Sequence, residues 1–176
     1  MIFCGLTSVL AAAIFVIQFT LGEASFLRGF MNAMVMVWVA VLGYVDLKEK
    51  IIPNPMILLG LGFWLLISIL EITIGQTHWK SLLAFSLTGG FICGGILLVV
   101  SLAGKSALGM GDVKMITVLG LLYGLVDTYS LLLVSLVVMA LVSITLLLLK
   151  KVDKKTAIPM APFIVIGYIL SIFAGM

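Results

Sequence analysis

Two aspartates in this sequence carry side chains that could do chemistry together. Asp46 lies in the stretch GYVDLKEK and Asp112 in the stretch GMGDVKM, and a lysine follows each of them two residues later. One ionised and one protonated carboxyl group can activate a water molecule and protonate a carbonyl oxygen, which is the chemistry of peptide-bond hydrolysis. Each aspartate also borders a long apolar run, and acids in such positions tend to face protein or water and to be functional.

The composition of the chain shows what surrounds these aspartates. The chain has 176 residues, of which 64% are hydrophobic and 10% are charged, and its mean hydropathy is +1.39. Soluble domains are roughly half apolar and about a quarter charged, so the solvent of this chain is largely lipid. We therefore expect a single transmembrane domain over residues 1–176, of the all-α polytopic class.

The remaining polar residues exclude several other classes of protein. The basic residues are scattered over short loops rather than gathered in one patch, so we expect no nucleic-acid partner. Cys4 and Cys93 lie far apart inside apolar runs, and the chain has one histidine, His78. This pattern predicts no metal site, and we expect no cofactor. It carries no information on the oligomeric state.

Seven apolar runs approach the length of about 20 residues that a membrane-spanning helix needs. They cover residues 1–21, 30–46, 56–74, 82–103, 112–126, 131–149 and 158–176. We expect a bundle of about six to seven transmembrane helices. Because the second and fifth runs are short, we expect Asp46 to end one helix and Asp112 to begin another, both near a membrane face.

The basic residues predict which face that is. Eight of them follow the even-numbered runs, namely Lys48, Lys50, Lys105, Lys114, Lys150, Lys151, Lys154 and Lys155. The other two, Arg28 and Lys80, follow odd-numbered runs. Cytoplasmic loops are enriched in lysine and arginine. We therefore expect a cytoplasmic N-terminus, an external C-terminus and both aspartates at the cytoplasmic edge.

Glycine and proline residues beside the aspartates predict how the chain runs there. Gly109 and Gly111 would let another backbone approach Asp112 closely, which suits a substrate chain in extended form. Pro53 and Asn54 stop one helix and begin the next, a structural role beside Asp46. Four glycines of the fourth run predict close helix packing rather than chemistry, and they are Gly89, Gly90, Gly94 and Gly95.

The charges near the aspartates have alternative interpretations. Lys48, Lys50 and Lys114 could favour ionisation of the carboxylates or meet an acidic residue of a substrate, or they could serve only as topology signals. A helix N-terminus favours an anion, whereas a helix C-terminus does not. On that ground we hypothesise that Asp112 is the ionised base and Asp46 the protonated acid.

Three segments of the chain resemble one known family. GMGDVKM resembles the GxGD motif of membrane-embedded aspartyl proteases, with the additional lysine of the type IV prepilin peptidases. VDLKEKIIPN resembles the first-aspartate segment of that family. IPMAPFIVIG, residues 158–167, resembles its closing segment, in which Pro159 and Pro162 open the last helix.

The resemblance implies an activity and assigns residues to it. It implies an aspartic-type endopeptidase of the cell membrane that cleaves the short basic leader from prepilins or prepilin-like proteins, after a glycine, at the cytoplasmic face. Asp46 and Asp112 match the catalytic pair, and Gly109, Gly111 and Lys114 match the rest of the second motif. The implied partner is the prepilin substrate.

The chain also departs from the larger members of that family. Those members carry a cysteine-rich, zinc-binding insertion and methylate the new N-terminus, but this chain has neither the cysteines nor the space. It resembles the small peptidase-only members that serve Flp/Tad-type pili, or the archaeal preflagellin peptidases. We therefore expect no N-methyltransferase activity. The core would cover residues 30–176, with an additional first span at residues 1–21.

Three other functions fit parts of the sequence. Another GxGD intramembrane protease would place its first aspartate in a Tyr-Asp motif in the middle of a helix, unlike the YVDLKEK stretch. A small proton-coupled transporter would spread its acids over the membrane depth, whereas these two are expected at one face. An inactive scaffold with the same fold is left open by the sequence.

Overall fold

The chain folds into apolar α-helices. A computed structural model describes residues 26–74, 78–103, 109–149 and 159–174, together with seven residues near the N-terminus. Its helices are α1 (Phe26–Glu49), α2 (Asn54–Thr73), α3 (Trp79–Ala103), α4 (Met110–Leu148) and α5 (Ala161–Phe173). No strand occurs in these described ranges. This confirms the predicted all-α fold.

Most of these helices have the length and composition of membrane spans. Four helices of the described part qualify, and they begin at Leu27, Asn54, Trp79 and Met110. A helix of 20 residues is about 30 Å long, which matches the hydrocarbon thickness of a bilayer. The fifth, α5, is a shorter apolar helix of 13 residues. The chain is therefore an all-α membrane protein, as its composition predicts.

Helix α1 is longer than the apolar run that predicted it. It covers 24 residues and includes three charged side chains in its last turn, whereas the run at residues 30–46 stopped at the first of them. The helix ends at Glu49, and Lys50, which follows it, has a positive φ of 53°. The Lys50 N–H donates to the Asp46 carbonyl oxygen at 2.9 Å, which closes the final turn. Asp46 therefore lies in the last turn of α1, near the helix end as predicted.

Helix α4 contains a reversal of the chain at Gly124. Gly124 has φ 72° and ψ −170° inside a stretch of 39 helical residues. The Thr128 hydroxyl donates to the Leu119 carbonyl oxygen at 3.2 Å. In a straight helix these residues would be about 13.5 Å apart along the axis, so the chain turns back between them. Helix α4 thus consists of two segments, residues 110–123 and 125–148.

The position of this turn corrects the prediction from the apolar runs. The fifth and sixth runs placed the break at residues 127–130, because Asp127, Thr128 and Ser130 are polar. The structure keeps these residues helical. The Ser130 hydroxyl donates to the Val126 carbonyl at 3.0 Å, so the helix backbone itself satisfies the side chain. The residue that breaks the helix is the glycine, since positive φ is costly for other residues.

The predicted span at residues 1–21 lies largely outside the described residues. Those described near the N-terminus are helical. Thr7, Ala11 and Ile14 are buried, whereas Val9 and Val16 are exposed. This spacing of three to four residues places the buried side chains on one face of a helix.

The described helices divide between two compact units of the chain. The terminal unit comprises Met1–Lys50 and Leu131–Met176, and the central unit comprises Ile51–Ser130. The single transmembrane peptidase domain over residues 1–176 stays a prediction beside this division. Asp46 belongs to the terminal unit and Asp112 to the central unit.

In the terminal unit, α1 packs against α5. The fully buried side chains of these two helices include Val35, Val39, Ile164 and Tyr168. The Tyr168 hydroxyl donates to the backbone carbonyl of Asn32 at 2.9 Å. Because both residues are buried, this bond fixes the position of one helix along the other.

In the central unit, α3 packs against the first segment of α4 through glycines. A Cβ at Gly89 would collide with the Gly120 carbonyl oxygen, and a Cβ at Gly90 would lie 2.8 Å from the Leu121 side chain. A Cβ at Gly94 would collide with the Thr117 hydroxyl. The prediction of close packing is therefore confirmed for three of the four glycines. It is wrong for Gly95, where nothing lies within 4 Å of a Cβ.

Candidate active site

Asp46 is a buried acid that accepts a hydrogen bond from another helix. Its side chain is 6% exposed. The backbone N–H of Ala161, the first residue of α5, donates to Asp46 Oδ2 at 3.1 Å. The first backbone N–H groups of a helix have no partner within the helix, so they bind carboxylates readily. Asp46 therefore lies at the C-terminus of α1 and the N-terminus of α5 at once.

Gly43 makes room for the start of α5 beside Asp46. A Cβ at Gly43 would lie 2.9 Å from Val165 Cγ2 and 3.4 Å from Pro162 Cα. Residues three apart lie on the same face of a helix, so Gly43 and Asp46 both face α5. The close approach of α5 at Gly43 therefore brings its first N–H groups to the carboxylate.

The prolines that the resemblance singled out lie at this helix start. Pro162 is in the first turn of α5, where its missing N–H is harmless because that group would have no helical partner. Pro159 precedes the helix. The N–H groups of Phe163 and Ile164 donate to the Met160 carbonyl at 3.0 and 3.3 Å. Among the N–H groups at this helix start, that of Ala161 donates to Asp46.

Asp112 lies in the first turn of α4, as predicted. Its own N–H and that of Val113 donate to the Gly109 carbonyl at 3.1 and 3.3 Å. A Cβ at Gly109 would lie 3.1 Å from Asp112 Oδ2. The half-buried carboxylate therefore turns back over Gly109, in the place where a capping box puts an acid. Glycine leaves the carboxylate this space.

The GMGDVK segment contacts the IIPN segment at two points. A Cβ at Gly111 would lie 2.8 Å from Ile52 Cβ, and Lys114 Nζ donates to Asn54 Oδ1 at 2.8 Å. The close neighbour of Gly111 is thus a side chain of the same protein, whereas the sequence suggested a substrate chain. The sequence also missed Asn54 as the partner of Lys114, since nothing in a local pattern pairs residues 60 positions apart.

The other two lysines near Asp46 point elsewhere. Lys48 Nζ lies 4.7 Å from the centre of the Tyr44 ring, one helical turn earlier. This is the geometry of a cation–π contact at an exposed site. Lys50 is exposed and directly follows the last residue of α1. Neither position decides between a role with substrate and a topology signal.

The structure weakens the argument from helix dipoles that Asp112 is the ionised base and Asp46 the protonated acid. Asp112 lies at a helix N-terminus, which agrees with the hypothesis that it is the ionised base. Asp46 was expected to have no such support, but it lies at the N-terminus of α5. At Asp46 the start of α5 favours an anion while the end of α1 opposes it, so helix dipoles no longer distinguish the acid from the base. The sequence did not predict the hydrogen bond from the Ala161 N–H to Asp46, which joins residues 115 positions apart.

No metal centre is built by the described residues. Among them, no group of three or more His, Cys, Asp or Glu side chains is arranged to hold a metal ion. Cys93 is a buried free thiol within α3. It lies on the helix face that carries Gly89, Gly90 and Gly94, where packing explains it.

These features define an all-α membrane protein that holds two acids at helix N-termini beside glycine-rich contacts. The family model for the type IV leader peptidase family matches residues 33–144. The match covers well over half of the chain and includes both Asp46 and Asp112. The chain therefore belongs to the type IV leader peptidase family. No curated protein and no solved structure matches it in the corresponding comparisons.

Proposed function

We propose that this protein is an aspartic-type membrane endopeptidase that removes the short basic leader of prepilins or prepilin-like proteins. Membership of the leader peptidase family supports a peptidase acting on a protein substrate. The observation that carries the finer proposal is that each carboxylate lies at a helix N-terminus: Asp46 at the start of α5 and Asp112 at the start of α4. Such sites stabilise the negative charge that a catalytic carboxylate must carry.

The proposed reaction uses the two carboxyl groups as one acid and one base. The ionised carboxylate takes a proton from water while the water oxygen bonds to the scissile carbonyl carbon. The protonated carboxyl group gives its proton to the carbonyl oxygen, which yields a tetrahedral diol. The diol then collapses: one diol hydroxyl returns its proton to the ionised carboxylate, the C–N bond breaks, and the leaving amine takes a proton from the protonated carboxyl group. Two carboxyl groups close together share one proton, so their titration belongs to the pair.

The other motif residues are proposed to shape the site around this dyad. Gly109 leaves space for the Asp112 carboxylate, and Gly111 allows Ile52 to pack against the start of α4. Lys114, held by Asn54, is proposed to contribute positive charge near the substrate. The acidic residue of the mature prepilin is a proposed partner for Lys114, Lys48 or Lys50.

The proposed location is the cytoplasmic face of the cell membrane. The eight lysines that follow the even-numbered runs support this orientation. The substrate would enter as an apolar helix with its leader in the cytoplasm. The leader must unwind before cleavage, because a helix keeps its carbonyl groups in hydrogen bonds. The absence of an N-methyltransferase activity is part of the proposal.

A cleavage assay with a defined reporter tests the substrate class. The reporter carries a lysine-rich leader that ends in glycine, then an apolar helix with a glutamate near its start. Co-expression with this protein is expected to shorten the reporter by the leader, and the mass of the product is expected to show cleavage after the glycine without an added methyl group. The matched control replaces that glycine with valine. Cleavage within the apolar helix, or an intact reporter beside folded enzyme, would contradict the proposal.

A further inference from the structure

The first turn of α5 contacts the side chain that the proposed reaction needs. We infer that this turn is a positioning device for Asp46, and that the Ala161 N–H decides which carboxyl oxygen carries the catalytic proton. This role rests on the proposed function, because it matters only if Asp46 is part of the dyad. It adds Gly43 and Ala161 as positioning residues that act through Asp46 and do not touch the substrate.

The geometry of one hydrogen bond carries the inference. The Ala161 N–H donates to Asp46 Oδ2 at 3.1 Å, and both residues are buried. The carbonyl oxygen of a protonated carboxyl group is a better acceptor than its hydroxyl oxygen, so the N–H at Oδ2 favours the hydrogen on Oδ1. A buried N–H without an acceptor is costly, which holds the carboxyl group in this orientation. Oδ2 is therefore the fixed oxygen, and Oδ1 is the one left for the proton and the water.

Gly43 sets the distance between α5 and this carboxyl group. A Cβ at Gly43 would lie 2.9 Å from Val165 Cγ2, closer than side chains normally pack. Its next neighbours would be Pro162 Cα at 3.4 Å and the Ala161 carbonyl oxygen at 3.6 Å. Ala161 and Pro162 belong to the same turn whose N–H binds Asp46. Pro162 and Ala161 are at ordinary contact distance, so the clash is with Val165, one turn beyond Ala161 in α5. A side chain at Gly43 therefore displaces Val165, and through it the start of α5 that holds the carboxyl group.

A second contact between the same helices keeps this turn in register. The Tyr168 hydroxyl donates to the Asn32 carbonyl at 2.9 Å, in the buried part of the α1–α5 interface. It lies almost two turns along α5 from Ala161. With the helices held there, displacement of Val165 by a side chain at Gly43 shifts the first turns of α5 rather than the whole helix.

The substitution Gly43→Ala tests the positioning role of the first turn of α5, and a second substitution at Val165 tests whether the effect can be reversed. It is expected to lower kcat about tenfold to a hundredfold with little change in KM, since a misplacement of about 1 Å at a reacting group costs about that much. The double variant Gly43→Ala/Val165→Ala removes the Cγ2 atom in contact and is expected to recover most of the lost kcat. Gly62→Ala in α2 is the matched control, because nothing lies within 4 Å of a Cβ there.

A second pair of variants changes the donor itself. Ala161→Pro removes the N–H at the first residue of α5, although a proline there disfavours the helical backbone of Met160 before it, whereas Ala161→Gly keeps the N–H. The proline variant is expected to lose more kcat than the glycine variant at equal amounts of folded enzyme. This pair decides the question if Gly43→Ala alone fails to fold.

The outcomes separate this inference from the proposed function. If Asp46→Asn abolishes reporter cleavage but Gly43→Ala cleaves at the wild-type rate, the dyad stands and the positioning role is wrong. A loss in Gly43→Ala that Val165→Ala does not restore also contradicts it, as does an equal loss in Ala161→Pro and Ala161→Gly. If Asp46→Asn still cleaves the reporter, the proposed function itself fails.

Discussion

Replacing either Asp46 or Asp112 by asparagine is expected to lower the rate of leader cleavage by about a hundredfold to ten-thousandfold, the range that one general acid or base contributes. Asparagine has nearly the same shape, and its amide oxygen can still accept the Ala161 N–H that binds Asp46. It can neither accept nor give the proton that the reaction needs. The loss should therefore appear in kcat, measured with the reporter, while the amount of folded enzyme stays unchanged.

The matched control for these two substitutions is Asp127→Asn. Asp127 lies in the second segment of α4, outside the motifs, and is a half-buried acid of the same chain. It is expected to cleave the reporter as the wild type does. Cleavage retained in Asp46→Asn or Asp112→Asn would show that this residue is not catalytic. An equal loss in all three variants would point to damaged folding instead.

The largest expected effect on stability comes from Gly89→Ala. A Cβ at Gly89 would collide with the Gly120 carbonyl oxygen, and a Cβ at Gly120 would lie 2.5 Å from the Gly89 carbonyl oxygen. Backbone atoms cannot turn away as a side chain can, so α3 and α4 must separate. Overpacking of this kind costs about 1 to 3 kcal/mol, and the loss of neighbouring contacts along both helices adds to it. The midpoint of unfolding in detergent should fall accordingly.

Gly95→Ala provides the comparison within the same helix. Nothing lies within 4 Å of a Cβ at Gly95, so the change there reports helix propensity alone. Alanine is favoured over glycine inside a helix by about 0.5 to 1 kcal/mol, so this variant should be as stable as the wild type or slightly more stable. Equal stability of Gly89→Ala and Gly95→Ala would contradict the close contact between α3 and α4.

Features that depend on neighbouring residues could be predicted from the sequence. The Gly-x-Gly-Asp stretch after a loop indicated a helix start, and Asp112 does lie in the first turn of α4. The charged residues after Val45 indicated a helix end, and α1 ends a few residues later. Glycine spacing in the fourth run indicated close packing, which Gly89 and Gly94 show. Each of these rests on the backbone preferences of a few adjacent residues.

Contacts between distant segments could not be predicted in this way. The bond from the Ala161 N–H to Asp46 joins residues 115 positions apart, and that from Lys114 to Asn54 joins residues 60 apart. The reversal at Gly124 was also missed, because glycine is frequent in this chain while the polar residues after it resemble a loop. The hydroxyls of Thr128 and Ser130 bond to helix carbonyls, and this bonding is not visible in composition.

The first-aspartate segment serves both parts of the candidate site. Its aspartate binds the start of α5, within the terminal unit. Its Ile52 and Asn54 contact Gly111 and Lys114, within the central unit. The nine residues from Asp46 to Asn54 thus contact two other segments. The first of these residues binds the closing segment, and the last ones contact the GxGD segment.

The central claim is that Asp46 and Asp112 act as one pair, and cross-linking tests it most directly. Both would be replaced by cysteine in a full-length chain whose native Cys4 and Cys93 are replaced by serine and alanine. A short bifunctional thiol reagent would then be applied in membranes, followed by proteolysis between the two positions. The control pair is His78→Cys with Asp112→Cys, because His78 precedes the start of α3 whereas Asp112 lies in α4, which follows the other end of α3. We expect the fragments of the first chain to stay linked and those of the control to separate; separation in both would contradict a shared site.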